Sequence, residues 1–177
     1  VTPTTFPLPK VPFQEVALDW VGPLPRTARG NDFLLNVTDR LTKFSIAIPC
    51  STTMDRRELA TTLYNHVFLE KGIPETVVSD GDPRIDNDFT KILNSLQGTT
   101  NRITTSYRPQ GNGQAEALNK ELITKLKAYC SDPSRQIDWD TTVRECIYAY
   151  NTTPHTTHGY TPFFLLHGYH PSSLYTL

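Results

Sequence analysis

Apolar positions along the chain change period several times, and each change marks a predicted element. Val16-Ala17-Leu18-Asp19-Trp20-Val21 is a short apolar run broken by one acid; Gly22, Pro23 and Pro25 end it, and Gly30-Asn31 marks a turn. Phe33 to Thr38 reads as a second strand and Phe44 to Pro49 as a third, with connections short enough for an antiparallel meander. Asp55 and Glu58 have the spacing of a capping box. Leu59, Leu63, Tyr64, Val67 and Phe68 then recur at helical intervals until Gly72. Thr76-Val77-Val78-Ser79 is a compact β run that stops at Asp80. A short helix follows over Asp88 to Leu96, and Arg102 to Ser106 reads as a fifth strand. Helices are predicted from Gln114 to Cys130, with Leu118, Leu122, Leu126 and Tyr129 on one face, and from Asp138 to Asn151. The second has Trp139, Val143, Cys146, Ile147 and Tyr150 inward. Thr161-Pro162 opens a last short helix that Gly168 ends. The order βββαβαβααα predicts an α/β fold: a mixed five-stranded sheet, three strands as an antiparallel meander and two parallel, with helices on both faces.

Residues 1–14 carry Pro3, Pro7, Pro9 and Pro12, a density that joins neither ladder nor helix, so they read as an extended linker. The core is expected over 15–171, with 172–177 as a tail. At 177 residues the chain is long enough for one domain with a sizeable core. No apolar run approaches the roughly 20 residues of a membrane helix, and Val1 to Lys10 lack the apolar stretch of a signal peptide. Cys50, Cys130 and Cys146 are odd in number and form no CxxC pair, which fits a reduced, intracellular protein. The net charge of −1 counts against phosphate binding, which usually leaves a basic excess. That objection weakens where acids belong to a metal site, because bound divalent cations reverse the local sign.

The acids are where the chemistry concentrates. Asp19 lies in an apolar strand and Asp80 at the end of another, and a buried charge needs a cation, a metal or a hydrogen-bond network. The first and fourth strands of such a sheet lie side by side, so the two acids are expected to converge. Glu116 falls in the first turn of the 114–130 helix, away from its apolar stripe and on the side of Asn119 and Lys120. Three converging carboxylates suit Mg²⁺ or Mn²⁺. Two such ions about 3.5–4 Å apart serve an in-line phosphoryl displacement.

Residues 81 to 115 number 35, so Asp80 and Glu116 match the D,D-35-E spacing of retroviral and retrotransposon integrases. Around them, Leu18-Asp19-Trp20-Val21-Gly22-Pro23-Leu24-Pro25 resembles the "DxxGPLP" opening of gypsy-type integrases, and Val37-Thr38-Asp39-Arg40-Leu41-Thr42-Lys43-Phe44 resembles their "VxDRxSK" segment. Gly72-Ile73-Pro74 leading to Val78-Ser79-Asp80 is similar to "GxPxxxxSD". Tyr107-Arg108-Pro109-Gln110-Gly111-Asn112-Gly113-Gln114-Ala115-Glu116 is similar to "YxPQxxGQxE". Tyr150-Asn151 through His155 to Pro162-Phe163 is similar to the "YNxxxHxxxxxxPF" tail. The resemblance spans about residues 15–171 and implies the ribonuclease H-like fold. It also implies an enzyme that trims the 3′ ends of retroelement DNA and joins them to target DNA, using two Mg²⁺ or Mn²⁺ ions on Asp19, Asp80 and Glu116. It implies DNA contacts from the region of Tyr107, Gln110, Asn112, Gln114, Asn119 and Lys120, a nuclear site of action, and a core that dimerises and forms a higher multimer on DNA. The dimer surface is expected on the 55–71 helix and the start of the 138–151 helix, with Trp139 as anchor where exposed. Two departures stand out: the segment after Asp80 is longer and more acidic than in the family, and Ile123 stands where relatives often carry a DNA-binding lysine. Neither the upstream zinc-binding domain nor a downstream β-barrel or chromodomain is in the sequence, so a core alone is expected.

Blander readings stand beside these. Asp39 is expected to serve a turn or a salt bridge with Arg40 or Lys43. Asp82, Asp86 and Asp88 lack the Gly and closing Glu of an EF-hand and read as a solvated loop. His155, His158, His167 and His170 match no zinc module with Cys130 or Cys146, and both cysteines read as core. Trp20 and Trp139 read as packing, whereas Tyr107 fits a DNA contact and a structural role equally. Rival functions are another nuclease or transposase on the same scaffold, and a domesticated, inactive core kept for dimerisation or DNA tethering.

Overall fold

The computed structural model describes residues 7–98, 102–108, 113–155 and 159–172, apart from the side chains of residues 113–119. Three strands come first: β1 (Glu15–Val21), β2 (Phe33–Asp39) and β3 (Ser45–Cys50). Asp55 and Glu58 close the predicted capping box, each accepting from the other's backbone N–H, and start α1 (Arg56–Leu63). This helix widens into a π-helical turn (Tyr64–Phe68) before a last turn, α2 (Leu69–Lys71), which ends at Gly72. Then come β4 (Thr76–Ser79), α3 (Asn87–Leu96), β5 (Thr104–Tyr107), α4 (Gly113–Cys130), α5 (Trp139–Asn151) and α6 (Pro162–His167). Element types and order agree with the sequence pattern, and boundaries move by a residue or two. The start of α3, for instance, is set by Asp86, whose side chain accepts from Phe89 N and so caps the helix ahead of Asp88.

The five strands lie in the order β3-β2-β1-β4-β5. β1 pairs antiparallel with β2 and parallel with β4, while β2 and β3 are antiparallel and β4 and β5 parallel. This is the mixed ribonuclease H-like sheet. Its two faces are separated by strand alternation. Val16 and Leu18 of β1, Leu35 and Val37 of β2 and Val77 of β4 point to one side. There Leu59, Leu63, Val67 and Phe68 of the first helical stretch and Phe89 and Leu93 of α3 bury them. Val21 and Leu34 point to the other side, against Leu122, Leu126 and Cys130 of α4 and Trp139, Val143 and Ile147 of α5.

Polar pins fix the second layer. Asn151 of α5 grips the edge strand, its Oδ1 accepting from Ser45 N and its Nδ2 donating to Ser45 O. Asp140 accepts from Thr27, Asn31 and Arg29, tying the β1–β2 loop to α5. Trp139 is fully buried and its Nε1 donates to Pro25 O, so the tryptophan packs in this monomer's interior and offers no exposed anchor to a second copy. No helix among the described residues is long and apolar enough to cross a membrane.

Candidate active site

The register places the two aspartates. β1 and β4 run parallel with Ala17 beside Val78 and Leu18 beside Ser79, where the pairing and β4 end; carried one residue further, that register sets Asp80, just past β4, beside Asp19 of β1. Neighbouring strands lie about 4.8 Å apart. Val16 and Leu18 face the α1–α3 side, so Asp19 faces the α4 side together with Val21. Val77 also faces the α1–α3 side, and the same alternation carried one residue past β4 turns Asp80 toward α4. Asp19 is half-buried and its Oδ1 accepts from Trp20 N at 2.8 Å, while Asp80 is exposed. Glu116 lies in the first turn of α4, the helix that packs on this face; its side chain falls outside the described residues.

The competing acids are each engaged elsewhere. Asp39 is fully buried and accepts from Phe13 N, Thr42 N and Thr42 Oγ1. It is a turn residue, and the arginine expected beside it, Arg40, reaches Glu15 instead. Asp82 receives Arg84 through both oxygens, Nε at 3.0 Å and Nη2 at 2.7 Å. Burial pushes the Asp82 carboxyl up, but the Arg84 hydrogen bonds and charge outweigh this and hold it below the usual carboxylate range. Asp86 caps α3 and pairs with Arg56. No ion pair to Asp80 is present among the described residues. Among them, too, no group of three or more His, Cys, Asp or Glu side chains could hold a metal, and Glu116 is not in that set.

Tyr107 ends β5 with its side chain 65% exposed. Its ring lies on Gly81, the residue after Asp80: a Cβ there would come within 2.8 Å of the ring, and Gly81 has φ +112°. Ser79 Oγ accepts from Gly81 N at 3.2 Å and helps hold this turn. Lys120 is exposed one turn beyond Glu116 on α4. Gln110 and Asn112 lie outside the described residues, and Gln114 and Asn119 are helical with side chains outside them.

Three side chains near the site escaped the sequence reading. The Arg84 guanidinium stacks 4.1 Å over the Trp20 ring and donates to Met54 O, so Trp20 packs Phe33 on one side and seats the post-Asp80 loop on the other. Asn36 is buried opposite Asp19 in the β1–β2 register; its signal was a lone amide inside the apolar run of β2. Glu15 is buried between two arginines, and nothing in the sequence announced its partners. The imagined zinc ligands are dispersed: His155 stacks on Tyr150 and bonds its carbonyl, His170 stacks on Phe164, and His167 packs at a tilt against Phe163. His158 lies outside the described residues.

No family model matches the chain. It is 27% identical over 160 residues to the retrovirus-related Pol polyprotein from transposon 412 of Drosophila melanogaster, covering 90% of this chain and 13% of that protein. It is 27% identical over 162 residues to the transposon Tf2-3 polyprotein of Schizosaccharomyces pombe, covering 91% of this chain and 12% of that protein. The chain therefore spans about an eighth of the length of these curated relatives. Among solved structures it superposes on the magnesium complex of the HTLV-2 integrase catalytic core domain, with a TM-score of 0.64 at 15% identity, over 89% of this chain and 99% of that one. The chain has the fold of the retroviral integrase catalytic cores. The chain also superposes on the simian T-cell lymphotropic virus intasome in complex with a PP2A regulatory subunit (TM-score 0.69, 18% identity, 92% of this chain and 59% of that one). It matches the BIV integrase catalytic core as well (TM-score 0.62, 13% identity, 87% and 93%).

Proposed function

We propose that the integrase-like core is a polynucleotidyl transferase that processes the 3′ ends of retroelement DNA and joins them to target DNA. The observation that carries this reading is the parallel register of β1 and β4 up to Leu18 and Ser79, which, continued by one residue, sets Asp19 beside Asp80 on the face packed by α4. The donor set fits a divalent cation. Asp19 and Asp80 offer hard carboxylate oxygens, Glu116 adds a third from α4, and the neighbouring Asp39, Asp82 and Asp86 already have partners. Asp19, Asp80 and Glu116 would hold two Mg²⁺ or Mn²⁺ ions. When bound, the pair would supply Lewis-acid activation of the attacking oxygen and charge stabilisation at the leaving oxygen.

The rest falls to the chain. In the first step water attacks a phosphodiester near the end of the element and releases the terminal nucleotides, leaving a 3′ hydroxyl. In the second, that hydroxyl attacks a target phosphodiester, one P–O bond forming as another breaks. Lys120 projects from α4 one turn beyond Glu116 and would meet the next phosphate as a point charge. Tyr107, seated on Gly81 beside Asp80, would contact the strand, with Gln110, Asn112, Gln114 and Asn119 flanking it. On this reading the activity would belong in the nucleus, where target DNA lies, and a homodimer, with further copies on DNA, would hold the two element ends together.

Strand transfer of short duplex ends with Mg²⁺ or Mn²⁺ tests this on wild type, Asp80→Asn and Asp82→Asn. Asp80→Asn is expected to lose on the order of a hundredfold or more in rate, since metal charge stabilisation is worth several kcal/mol, with an unchanged melting temperature. Full activity in Asp80→Asn, or its loss in Asp82→Asn alone, would overturn the assignment. A folded wild type without activity would leave the tethering module as the better reading.

A further inference from the structure

The acidic stretch between Asp80 and α3 is built around one arginine. Arg84 grips Asp82 through both carboxylate oxygens, Nε to Oδ1 at 3.0 Å and Nη2 to Oδ2 at 2.7 Å, and its backbone N also donates to Oδ1 at 2.9 Å. Ile85 N donates to Asp82 O at 3.0 Å, so residues 82–85 close into a turn. The guanidinium is then fixed at two further points. Its Nη1 donates to Met54 O at 3.2 Å, just ahead of α1, and its Cζ lies 4.1 Å from the centre of the Trp20 ring. Arg56 of α1 holds the backbone beside it, donating through Nε to Arg84 O at 3.3 Å and through Nη2 to Asp86 Oδ2 at 2.6 Å.

Both ends of this contact lie close in sequence to the two aspartates. Trp20 directly follows Asp19, and Arg84 stands at the end of the turn that Asp80 opens. Strand alternation turns Asp19 toward α4 and Trp20 toward the α1–α3 side, where the indole packs on the core and on Phe33. Asp80 is turned toward α4 by the same alternation, whereas Arg84 meets Met54 and Arg56 on the α1–α3 side. Residues 80–84 therefore wrap the carboxyl end of the sheet from one face to the other. Ladder pairing between β1 and β4 ends at Leu18 and Ser79, so the place of Asp80 relative to Asp19 depends on what holds the segment that follows. An arginine that only neutralised Asp82 would need no indole. This one is seated on the neighbour of Asp19, with its side chain 28% exposed and that of Asp82 11%.

We propose that Arg84 and Trp20 are a positioning pair for this site: stacked on the indole beside Asp19, the Arg84 guanidinium pins the far end of the post-Asp80 turn and thereby sets the Asp80 carboxylate against Asp19. The proposal rests on the reading of Asp19 and Asp80 as cation-holding acids. Arg84 and Trp20 themselves touch neither cation nor DNA; their effect passes through the backbone of residues 80–84. The same clasp occupies both oxygens of Asp82 and so keeps that acid from competing for the cation.

The test uses the whole chain as wild type, Arg84→Gln, Trp20→Leu, Trp20→Phe and Asp80→Asn, with three readouts: amide hydrogen exchange, Mn²⁺ binding followed by water-proton relaxation, and strand transfer below and at saturating Mn²⁺. Trp20→Leu leaves the Arg84–Asp82 fork in place and removes only the ring, so it isolates the stack. Trp20→Leu and Arg84→Gln are each expected to speed exchange of the Gly81 and Ile85 amides by roughly 3- to 30-fold, the equivalent of one desolvated cation–π contact. The β2–β3 amides should exchange as in wild type. Both variants should weaken Mn²⁺ binding on the order of tenfold, the usual effect of losing a group that orients a ligand. Trp20→Phe, which keeps a ring face, should recover most of both effects. Strand transfer should fall at low Mn²⁺ and return at saturating Mn²⁺, with KM for DNA unchanged. Wild-type exchange at Gly81 and Ile85 in Trp20→Leu, or wild-type Mn²⁺ affinity there, overturns the proposal. So does a uniform rise in exchange across the sheet, which marks a purely structural contact. A rise in KM with a flatter salt dependence and intact Mn²⁺ affinity marks a direct DNA contact and overturns it too. Should Asp80→Asn bind Mn²⁺ as wild type does, the reading of Asp80 as a ligand fails, while the exchange pattern still decides whether Arg84 and Trp20 hold the post-Asp80 turn.

Discussion

Gly81→Ala isolates the contact between the residue after Asp80 and the Tyr107 ring. Gly81 has φ +112°, a region that side-chain-bearing residues rarely occupy, and holding alanine there costs about 1–3 kcal/mol. The new methyl would also stand 2.8 Å from Tyr107 Cε2. Tyr107 is 65% exposed, so the ring swings aside at small further cost, losing its packing and its place beside Asp80. Gly72 provides the reference, with φ +116° and nothing within 4 Å of a built Cβ, so Gly72→Ala reports backbone strain alone. Urea unfolding of both variants, in wild-type and Tyr107→Ala backgrounds, separates the parts. Gly81→Ala should exceed Gly72→Ala by about 0.5–1 kcal/mol while the ring is present, and the excess should vanish in Tyr107→Ala. For a chain of this size each kcal/mol is roughly 2–4 °C in Tm. If Gly81→Ala costs the same with and without Tyr107, the ring does not rest on Gly81. If both glycine variants cost almost nothing, the backbone argument fails as well.

Trp139→Ala removes a fully buried ring and orphans the Pro25 carbonyl, and should destabilise by about 3–5 kcal/mol in urea; a loss under about 1 kcal/mol would return Trp139 to the surface as a dimer anchor. The Glu15 carboxyl is held below its ordinary 4.5, so its contribution is full above that value and fades as pH falls through the lower folded value. The stability gap between wild type and Glu15→Gln should therefore be flat above about pH 5 and shrink below about pH 4, and a gap that grew in acid would reverse the sign of the argument. Lys120→Ala should weaken binding of DNA ends and flatten log K against log salt by about one unit with stability unchanged; an unaltered slope would leave Lys120 as a solvated helix residue.

What the sequence made legible was whatever periodicity and turn chemistry determine. Alternation and helical spacing marked every strand and long helix, and the meander followed from short connections. The β1–β4 neighbourhood, and hence the Asp19–Asp80 pairing, came from topology. Side chains whose partners lie far along the chain stayed hidden. Glu15 meets Arg108 across 93 positions, and Asp140 meets Thr27 across 113, distances at which no local pattern speaks. Asp39 looked like Asp19 on paper because both are acids in apolar strands. Only the β2–β3 turn, where Lys43 adopts φ +65° and Thr42 turns back onto the carboxylate, separates a turn residue from a candidate ligand. The acidic stretch 82–88 likewise resolves into an Arg84 clasp and a helix cap once Arg56 and Trp20 are seen beside it.

The parallel pairing of β1 with β4 has a consequence for when this protein becomes able to act. Asp19 and Asp80 are about sixty residues apart in sequence and come together only when the meander is joined to β4 by a crossover, a non-local pairing whose loop-closure entropy must be overcome first. On the proposed reading, a nascent or partly unfolded chain would carry its acids scattered, without competence to cut nucleic acid, and competence would appear with the pairing of β1 and β4. Conversely, a divalent cation gripped across both strands would act as a clasp on that zip, adding about 2.7 kcal/mol to stability at a hundredfold excess over its dissociation constant. Chelation would then loosen the middle of the sheet first, at the seam between its antiparallel and parallel halves.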